Sequence, residues 1–590
     1  MKTFFLSMAG AFAAMFVFIL LIVSFFVVLI VGATNSAPPA PDRVVLSLDL
    51  NMELPDQSPV GGLAAFSQTP GFIDLLTKLK AAETDDSVQG LYLRGAMIGV
   101  GSARAEELRQ AFHSFRDSGK FIIAHTQGTY GMSGPSALRS LTAADVIWIQ
   151  PGTDLFATGV TFETEFLAGL FEKIDVQSEI YPFYEYKNAP NSYNETSYTE
   201  PHREAMTALA DSIWSVSLSD IAEDRGLSVE SVKSALESGP KSAQEVIDLK
   251  IMDKLGWPEE AEEAARERAG KDAELVELAM YMPPTISIKA PLIAVVGGEG
   301  AIITGGAEGG SPFSSPPAFA SDAVARAILD AGDNEKVKAI VFRVDSPGGS
   351  PTASDQIWRA VKRVQEKGKP VVVSMGSVAA SGGYYVSAGA DYILADRSTI
   401  TGSIGIFGGK FALEGAFNKI GVTFDTVSVG GEFADAYGSG TFTQAQEAEV
   451  KAWLKRGYDR FLGIVGEGRG MTYDEVHAVA RGRVWSGEDA IEIGLVDEIG
   501  GFMDAIDKAK ELGGIDADVT PRLTFYPRRK SGFEALESLF GVSEETARVA
   551  YMLGMVANDD RMQVLIEDLA RADAVNSGQM LAVGPRLREH

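Results

Sequence analysis

Short β-branched runs alternate with longer amphipathic stretches along most of this chain. In the second half, helical spacing of apolar residues covers Ser321 to Ala331 and Ala353 to Lys367. Nearly continuous apolar runs cover Ala339 to Val344 and Val371 to Met375. Buried strands that alternate with helices predict an α/β fold, in which helices cover a parallel sheet.

The same pattern occurs twice. An opening strand is predicted at Val44 to Leu48 in the first copy and at Leu292 to Val296 in the second. Three further pairs of similar segments follow, at offsets of 249, 246 and 244 residues: Val88–Arg94 with Val337–Arg343, Phe171–Ile174 with Phe417–Ile420, and Ser242–Asp253 with Ser486–Asp497. An offset that drifts so little over about 160 residues is evidence for an internal duplication.

The repeat divides the chain into five predicted parts. These are a membrane anchor with its linker at 1–41, a first repeat at 42–257, a Glu- and Ala-rich connector at 258–288, a second repeat at 289–517 and a C-terminal extension at 518–590. The extension contains the basic run Arg528-Arg529-Lys530, followed by two helical-looking segments, Phe533 to Leu539 and Glu544 to Met555. We expect it to be solvated or to contact a neighbouring subunit; contact with anionic lipid is the alternative.

No charged residue occurs from Phe4 to Ala33, and this apolar run exceeds the roughly 20 residues that a helix needs to cross a bilayer. Lys2 precedes it, so the positive-inside tendency places the N-terminus in the cytoplasm and the bulk of the chain across the membrane. We therefore predict one uncleaved transmembrane helix. The alternative is a signal peptide cleaved after Val31-Gly32-Ala33.

The composition of the chain excludes several classes of partner and of chemistry. The formal net charge of −28 argues against nucleic acid as a partner, because phosphate binding needs clustered Lys and Arg. The chain contains no cysteine, which excludes disulfides, thiolate catalysis and cysteine-ligated zinc.

Ser381 is the candidate nucleophile. It follows a predicted strand and stands among small residues, in Ala379-Ala380-Ser381-Gly382-Gly383-Tyr384. If Ser381 opens a helix, the Gly382 N–H points into the site, and the turn at Gly348-Gly349 can direct another N–H to the same point. Such donors stabilise the oxyanion that forms when a serine attacks a carbonyl. Ser133, near the equivalent position of the first repeat, lacks this setting and is interpreted as a structural remnant.

The base is sought among lysines, because no histidine lies between His202 and His477. A lysine acts as a base near neutral pH when burial lowers its pKa by about 3 units. Lys187 follows an apolar stretch, and its counterpart at offset 246 is Phe433. The first repeat thus has the lysine and the second the better serine, which suggests one site built across both. A solvent-exposed Lys187 is the alternative.

At this point the motifs resemble the long, tandem-repeat form of the signal peptide peptidase A family, also called protease IV. The resemblance rests on Asp345-Ser346-Pro347-Gly348-Gly349, on Ala379 to Tyr384 and on Thr401-Gly402-Ser403-Ile404-Gly405, in this order. One departure is Asn188, since the family's lysine motif typically has serine after the lysine.

The resemblance implies two repeats with the fold of Clp proteases and crotonases, in a bowl-shaped homotetramer anchored in the bacterial inner membrane with its catalytic part on the periplasmic side. It implies a Ser381 nucleophile and a Lys187 general base, with oxyanion donors at Gly382 and at Gly348-Gly349, Gly349 being preferred. Ser403 would orient the lysine. The implied substrates are apolar peptides, chiefly remnant signal peptides, and no metal or cofactor is needed.

Two other functions are compatible with the fold. A crotonase-type acyl-CoA enzyme uses the same oxyanion chemistry without a nucleophile, although an exported domain does not meet coenzyme A. A proteolytically inactive membrane scaffold is the second alternative, and the presence of both Ser381 and Lys187 argues against it.

Overall fold

The computed structural model describes residues 42–52, 54–58, 70–129, 134–270, 272–306, 319–527 and 582–583. The predicted transmembrane run, Ser133 and the two helical-looking segments of the extension lie outside these ranges. Within the described ranges, no helix combines the length and the apolar character needed to cross a bilayer.

The first repeat alternates strands and helices as the sequence pattern predicts. Its strands are β1 (Val44–Asp49), β2 (Val88–Arg94), β3 (Phe121–Thr126), β4 (Val146–Ile149), β5 (Asp154–Leu155), β6 (Gln177–Phe183), β7 (Lys241–Ser242), β8 (Lys254–Leu255) and β9 (Glu274–Glu277). Its helices are α1 (Phe72–Ala82), α2 (Ser102–Asp117), α3 (Ser136–Arg139), α4 (Ala168–Ile174), α5 (Asn191–Asn194), α6 (Glu200–Arg225), α7 (Val229–Glu237), α8 (Ala243–Asp248) and α9 (Pro258–Ala269).

The second repeat follows the same plan. Its strands are β10 (Leu292–Glu299), β11 (Ile302–Ile303), β12 (Phe319–Ala320), β13 (Val337–Ser346), β14 (Gly348–Gly349), β15 (Val371–Ala380), β16 (Tyr392–Ala395), β17 (Ile400–Gly402), β18 (Ile406–Ala412), β19 (Val484–Ser486), β20 (Glu498–Ile499) and β21 (Arg522–Tyr526), and β22 (Ala582–Val583) follows near the C-terminus. Its helices are α10 (Ser321–Asp333), α11 (Pro351–Gln365), α12 (Gly382–Ser387), α13 (Glu414–Lys419), α14 (Gln444–Arg469), α15 (Tyr473–Val479), α16 (Gly487–Glu492) and α17 (Phe502–Leu512).

The two main sheets have matching strand orders. The first is β8-β4-β3-β2-β1-β9, and all of its pairs are parallel. The second contains the parallel path β20-β16-β15-β13-β10-β21, whose members are equivalent one by one to those of the first. The duplicated α/β fold with parallel sheets is confirmed.

The pieces between and after the repeats complete these sheets. In the segment 258–288, predicted as a connector, α9 packs on β3 and β9 pairs with β1. Likewise, β21 lies in the segment predicted as an extension and pairs with β10. Strand β9 is an edge strand whose end residues are exposed and whose two central residues are half-buried. With no alternation of buried and exposed positions, the sequence did not reveal it.

The two repeats share a core. One apolar cluster contains Leu46 and Leu91 of the first sheet together with Ile293 and Val341 of the second, all fully buried. Buried charges reinforce this junction: Arg343 of β13 contacts Asp56 at 2.9 Å and Glu107 at 2.7 Å. The relative position of the repeats is therefore fixed by packing, and β6 of one also pairs with β18 of the other.

Candidate functional site

Ser381 lies at the junction of a strand and a helix. Strand β15 runs to Ala380, five residues beyond its predicted end, and Ser381 is the N-cap of α12. Its φ of 54° is in the left-handed region, which costs a non-glycine residue on the order of 1–3 kcal/mol. Its N–H donates to Gly402 O at 2.8 Å, so pairing with β17 holds this conformation.

Two glycines let α12 approach the turn that follows β13. A Cβ on Gly383 would lie 2.6 Å from Ser346 O, and one on Gly382 would lie 2.8 Å from Ser354 Oγ. Neither distance is compatible with a side chain. The small residues around Ser381 are thus required by close packing, and this packing brings the helix N-terminus next to the Gly348-Gly349 turn.

Lys187 comes from the first repeat, 194 residues before Ser381. It follows β6 in a turn closed by its own N–H, which donates to Tyr184 O at 3.0 Å. Its Nζ lies 2.7 Å from Ser381 Oγ and 3.0 Å from both Ser403 O and Ser403 Oγ. The structure therefore brings the predicted lysine and serine together, and the solvent-exposed alternative is wrong, since Lys187 is only 1% exposed.

Burial lowers the pKa of Lys187 well below its ordinary value. Within the described residues, no carboxylate forms an ion pair with it, so nothing offsets the cost of burying the ammonium. A neutral amine has two N–H donors and one lone pair. Those donors match the two oxygens of Ser403, and the lone pair matches the hydroxyl proton of Ser381.

The backbone of Ser403 is held by a hydrogen bond to the second repeat. It lies just after β17 with a φ of 48°, and its N–H donates to Arg483 O at 2.7 Å. Ser403 thus presents its backbone carbonyl oxygen and its side-chain hydroxyl oxygen to Lys187 Nζ. This geometry suits the predicted orienting role.

The predicted oxyanion donors lie beside the serine. Gly382 is the first residue of α12, whose N-terminal N–H groups lack helical partners. A Cβ on Gly382 would lie 3.0 Å from the Gly349 nitrogen, so the two glycines are adjacent. The Gly348 N–H already donates to Ser346 Oγ at 3.1 Å, which favours Gly349 as the second donor. The donor roles themselves stay a prediction.

The glycine turn is also an inner strand of a small sheet. Strand β14 pairs in parallel with β11 on one side. On its other side it pairs antiparallel with β22, in which Val583 is opposite Gly348 and Ala582 opposite Gly349. An extended backbone thus fits beside Gly348 and Gly349.

Gly482 was missed by the sequence reasoning. Its φ is 87°, and a Cβ there would overlap the Lys187 backbone, at 2.5 Å from Lys187 Cα. Its neighbour Arg481 accepts a hydrogen bond from Tyr186 N at 3.2 Å, so this turn of the second repeat supports the lysine loop of the first. A glycine between two arginines carries no signal of this contact, which only the tertiary structure creates.

The described histidines have other partners. His113 contacts Asp224, His125 contacts Gly256 O and His202 contacts Asn191. His477 lies 2.9 Å from the Tyr458 hydroxyl and packs edge-on against Tyr184. Among the described residues, Lys187 alone has a titratable group hydrogen-bonded to Ser381.

A buried serine beside a lysine whose pKa is lowered by burial, next to a helix N-terminus and a glycine turn, has the parts of an enzyme that cleaves acyl bonds. The sequence profile of peptidase family S49 matches the chain twice, over residues 114–272 and 363–516. Each match lies largely within one of the two repeats, and together they cover more than half of the chain. The chain belongs to peptidase family S49.

Relatives agree with this assignment. The chain is 30% identical over 483 residues to the chloroplastic serine protease SPPA of Arabidopsis thaliana, covering 80% of this chain and 69% of the relative. It is 32% identical over 467 residues to protease 4 of Salmonella typhi, covering 75% and 72%. The predicted family is thereby confirmed, and the chain is a member of a family of proteases.

Similarity to solved structures is weaker. A point mutant of ClpP1 from Listeria monocytogenes matches 36% of this chain and 94% of its own length, with 17% identity and a TM-score of 0.24. A TM-score this low does not establish a common fold. The predicted likeness to Clp proteases and crotonases therefore stays a prediction.

Proposed function

We propose that this protein is a serine endopeptidase in which Ser381 is the nucleophile and Lys187 the general base. The observation that carries the proposal is the 2.7 Å contact between Lys187 Nζ and Ser381 Oγ, made by a buried lysine without a carboxylate partner among the described residues. Burial without such a partner lowers the pKa of Lys187, which favours the neutral amine that accepts the serine proton.

The acylation step uses each part of the site. Lys187 Nζ takes the hydroxyl proton while Ser381 Oγ forms a bond to the peptide carbonyl carbon. The carbonyl oxygen becomes an oxyanion, which the N–H groups of Gly382 and Gly349 would stabilise. As the tetrahedral intermediate collapses, the C–N bond breaks and the Lys187 proton passes to the departing amine.

The second half of the reaction, hydrolysis of the acyl-enzyme, regenerates the free enzyme. Water enters where the amine left and gives a proton to Lys187 Nζ as its oxygen attacks the ester carbonyl. The Ser381 Oγ–C bond then breaks, and the proton returns from Nζ to Oγ. Ser403 supports both halves by fixing the position of the amine, from 3.0 Å on two oxygens.

For substrates, we propose extended apolar peptides, chiefly remnant signal peptides in the bacterial inner membrane. The pairing of β14 with β22 supports an extended backbone beside Gly348 and Gly349, and a substrate strand there would take the place of Ala582–Val583. The uncharged run from Phe4 to Ala33 supports a single membrane anchor, and we place the catalytic part on the periplasmic side, in a homotetramer.

The test uses the detergent-extracted full-length chain. Hydrolysis of a fluorogenic peptide with an apolar signal-peptide core is compared with that of a hydrophilic peptide of equal length. A fluorophosphonate probe, followed by peptide mapping, identifies the acylated residue. We expect cleavage of the apolar peptide and labelling of Ser381, both lost in Ser381→Ala.

Three results would contradict the proposal in different ways. Turnover that persists in Ser381→Ala would point to crotonase-type chemistry, which needs no nucleophile. Silence of the wild type toward both peptides and the probe would favour the scaffold. Equal cleavage of both peptides would retain the peptidase and reject the apolar substrate class. A matched control, Ser377→Ala, removes a hydroxyl from β15 outside the dyad.

A further inference from the structure

Two contacts from the second repeat hold the loop that carries Lys187. The Tyr186 N–H, one residue before the lysine, donates to Arg481 O at 3.2 Å. Tyr184 O accepts the Lys187 N–H, and the Tyr184 ring packs edge-on against Tyr458, with the ring centroids 5.0 Å apart. The position of the lysine therefore depends on how firmly Arg481 and Tyr458 are themselves held.

Arg481 lies in a turn with an unfavourable backbone conformation. Its φ is 54°, and Gly482 follows with a φ of 87°. A residue with a side chain adopts such a φ only where surrounding contacts impose it. One of these contacts is the hydrogen bond that the Arg481 N–H donates to the Tyr458 hydroxyl oxygen at 3.3 Å. Tyr458 thus supports the lysine loop directly, through its ring, and indirectly, through Arg481.

Tyr458 is in turn oriented by His477. The Tyr458 side chain on α14 is fully buried, and burial raises the pKa of its phenol, which is therefore protonated. The phenol oxygen accepts from Arg481, and the phenol proton has an acceptor in His477 Nδ1, 2.9 Å away on α15. This arrangement places the proton of the neutral imidazole on Nε2. The hydrogen bonds thus run from His477 through Tyr458 and Arg481 to Tyr186.

His477 also belongs to the aromatic packing around the loop. Its ring lies edge-on against Tyr184, with the centroids 5.1 Å apart. Tyr473 stacks nearly parallel to it, at 6.2 Å and 7°. The Tyr473 hydroxyl donates to Asp459 at 2.9 Å and has no part in the chain of hydrogen bonds that leads to the lysine loop. His477 therefore contacts the loop at Tyr184 and fixes the phenol that supports it.

The equivalent positions in the first repeat have other residues. Helices α6 and α14 each have 26 residues and are related by the offset of 244, as are the first residues of α7 and α15. Trp214 is then equivalent to Tyr458, and its indole donates to Glu237 at 3.1 Å. Lys233 is equivalent to His477, and its side chain is 53% exposed. The tyrosine and histidine thus occur together in the repeat whose turn faces the lysine loop.

We propose that Tyr458 and His477 are positioning residues for the general base Lys187. This inference rests on the proposed peptidase, because it identifies the residues that keep the base of that reaction in place. Loss of the bond between phenol and imidazole would free the turn at Arg481. Lys187 Nζ could then leave its position 2.7 Å from Ser381 Oγ. Neither positioning residue contacts the reacting atoms, so the effect falls on the chemical step and not on substrate affinity.

The kinetic test separates the hydrogen bond from the packing around it. Tyr458→Phe and His477→Phe keep an aromatic ring and remove the bond, whereas His477→Asn keeps an acceptor at the position of Nδ1. The detergent-extracted full-length chain is assayed with the apolar fluorogenic peptide. We expect both phenylalanine variants to lower kcat about tenfold with KM unchanged, and His477→Asn to stay within about threefold of the wild type. The double phenylalanine variant should be no slower than either single variant, because both changes remove the same bond.

Tyr473→Phe is the matched control. It removes a hydroxyl from the same aromatic cluster, where that hydroxyl binds Asp459, and should leave kcat unchanged. Hydrogen exchange followed by mass spectrometry reports on the loop without turnover. The peptide that contains Tyr186 and Lys187 should exchange about tenfold faster in Tyr458→Phe than in the wild type, because both of their N–H groups are hydrogen-bonded within or to this loop.

Three kinetic outcomes would overturn the proposal: an unchanged kcat in both phenylalanine variants, a loss that appears in KM alone, or a His477→Asn variant as slow as His477→Phe. A silent wild type would instead reject the proposed peptidase. Exchange would then decide whether the pair holds the loop: faster exchange in Tyr458→Phe would support that contact, and unchanged exchange would reject it as well.

Discussion

Arg94 and Arg343 occupy equivalent positions in the two repeats, at or near the end of the second strand of each sheet. The Arg94 side chain is 38% exposed, with Asp49 at 3.4 Å. Arg343 is fully buried and binds Asp56 and Glu107 of the first repeat. Arginine is thus partly exposed to solvent in the first repeat and buried at the junction between the repeats in the second. The reason is that the strand ends of the second sheet face the first repeat.

Lys187 and Phe433 show the same divergence at the site. Lys187 is buried against Ser381 and Ser403, whereas Phe433 is partly exposed at the equivalent position. One of the two equivalent positions has become part of the candidate catalytic site, and the other lacks the residue type for that chemistry. Equivalent positions in a duplicated fold therefore need separate functional assignments.

Of the substitutions considered, removal of Lys187 should have the largest effect on activity. We expect Lys187→Met to lower kcat/KM about 10³- to 10⁴-fold, because the general base is lost. The pKa of Lys187 is ordinary in the unfolded chain and lowered in the folded one. The free energy of unfolding of the wild type should therefore rise with pH between these two pKa values. Urea titrations over pH should show that this rise is missing in Lys187→Met. Lys410→Met, which removes another buried lysine, should keep turnover; its inactivation would contradict the assignment.

The matched arginines test the junction. Arg343→Met leaves Asp56 and Glu107 buried without their cation, and should lower the free energy of unfolding by about 3–5 kcal/mol. The equivalent Arg94→Met removes an exposed ion pair and should cost roughly 1 kcal/mol or less. Chemical denaturation of both variants measures the difference. Equal losses would mean that the two repeats use this position alike.

Gly482→Ala tests whether the second repeat positions the lysine of the first. Its Cβ would overlap the Lys187 backbone, and a displacement of about 1 Å costs on the order of 10²-fold in kcat. Gly239→Ala is the control, because Gly239 precedes the equivalent strand of the first repeat, also has positive φ and has open space around it. Steady-state kinetics should show a loss in the first variant alone, while a comparable loss in both would indicate backbone strain.

The smallest expected effect is a shift in the pH dependence of kcat/KM. Protonated Lys187 has no lone pair, so kcat/KM should fall as pH drops through its lowered pKa. The Ser403 hydroxyl accepts from Nζ and favours the ammonium, which means that Ser403→Ala should lower this pKa further and move the acid limb to lower pH. Loss of one hydrogen bond should also reduce the maximal rate by about five- to tenfold. A limb that does not move would show that Ser403 does not contact the titrating group.

The sequence predicted the repeat, the parallel sheets and the residues that meet at the site. Periodicity and offsets are local signals, and they suffice for elements that bury one face. They failed where the end of a strand depends on its pairing partner. Strand β15 extends to Ala380 because Val378 to Ala380 pair with β17, which lies outside the strand order shared by the two sheets. Gly482 could not be predicted for the same reason, since its role arises from a contact with Lys187, 295 residues away.

The distance between Lys187 and Ser381 along the chain has a consequence for biosynthesis. The lysine leaves the ribosome first, the serine follows 194 residues later, and the Arg483 carbonyl that holds Ser403 comes later still. A nascent chain that ends before Ser381 has no dyad, even if its first repeat has already folded. The proposed peptidase is therefore inactive throughout most of its own translation, and a cut that separated the two repeats would inactivate it again.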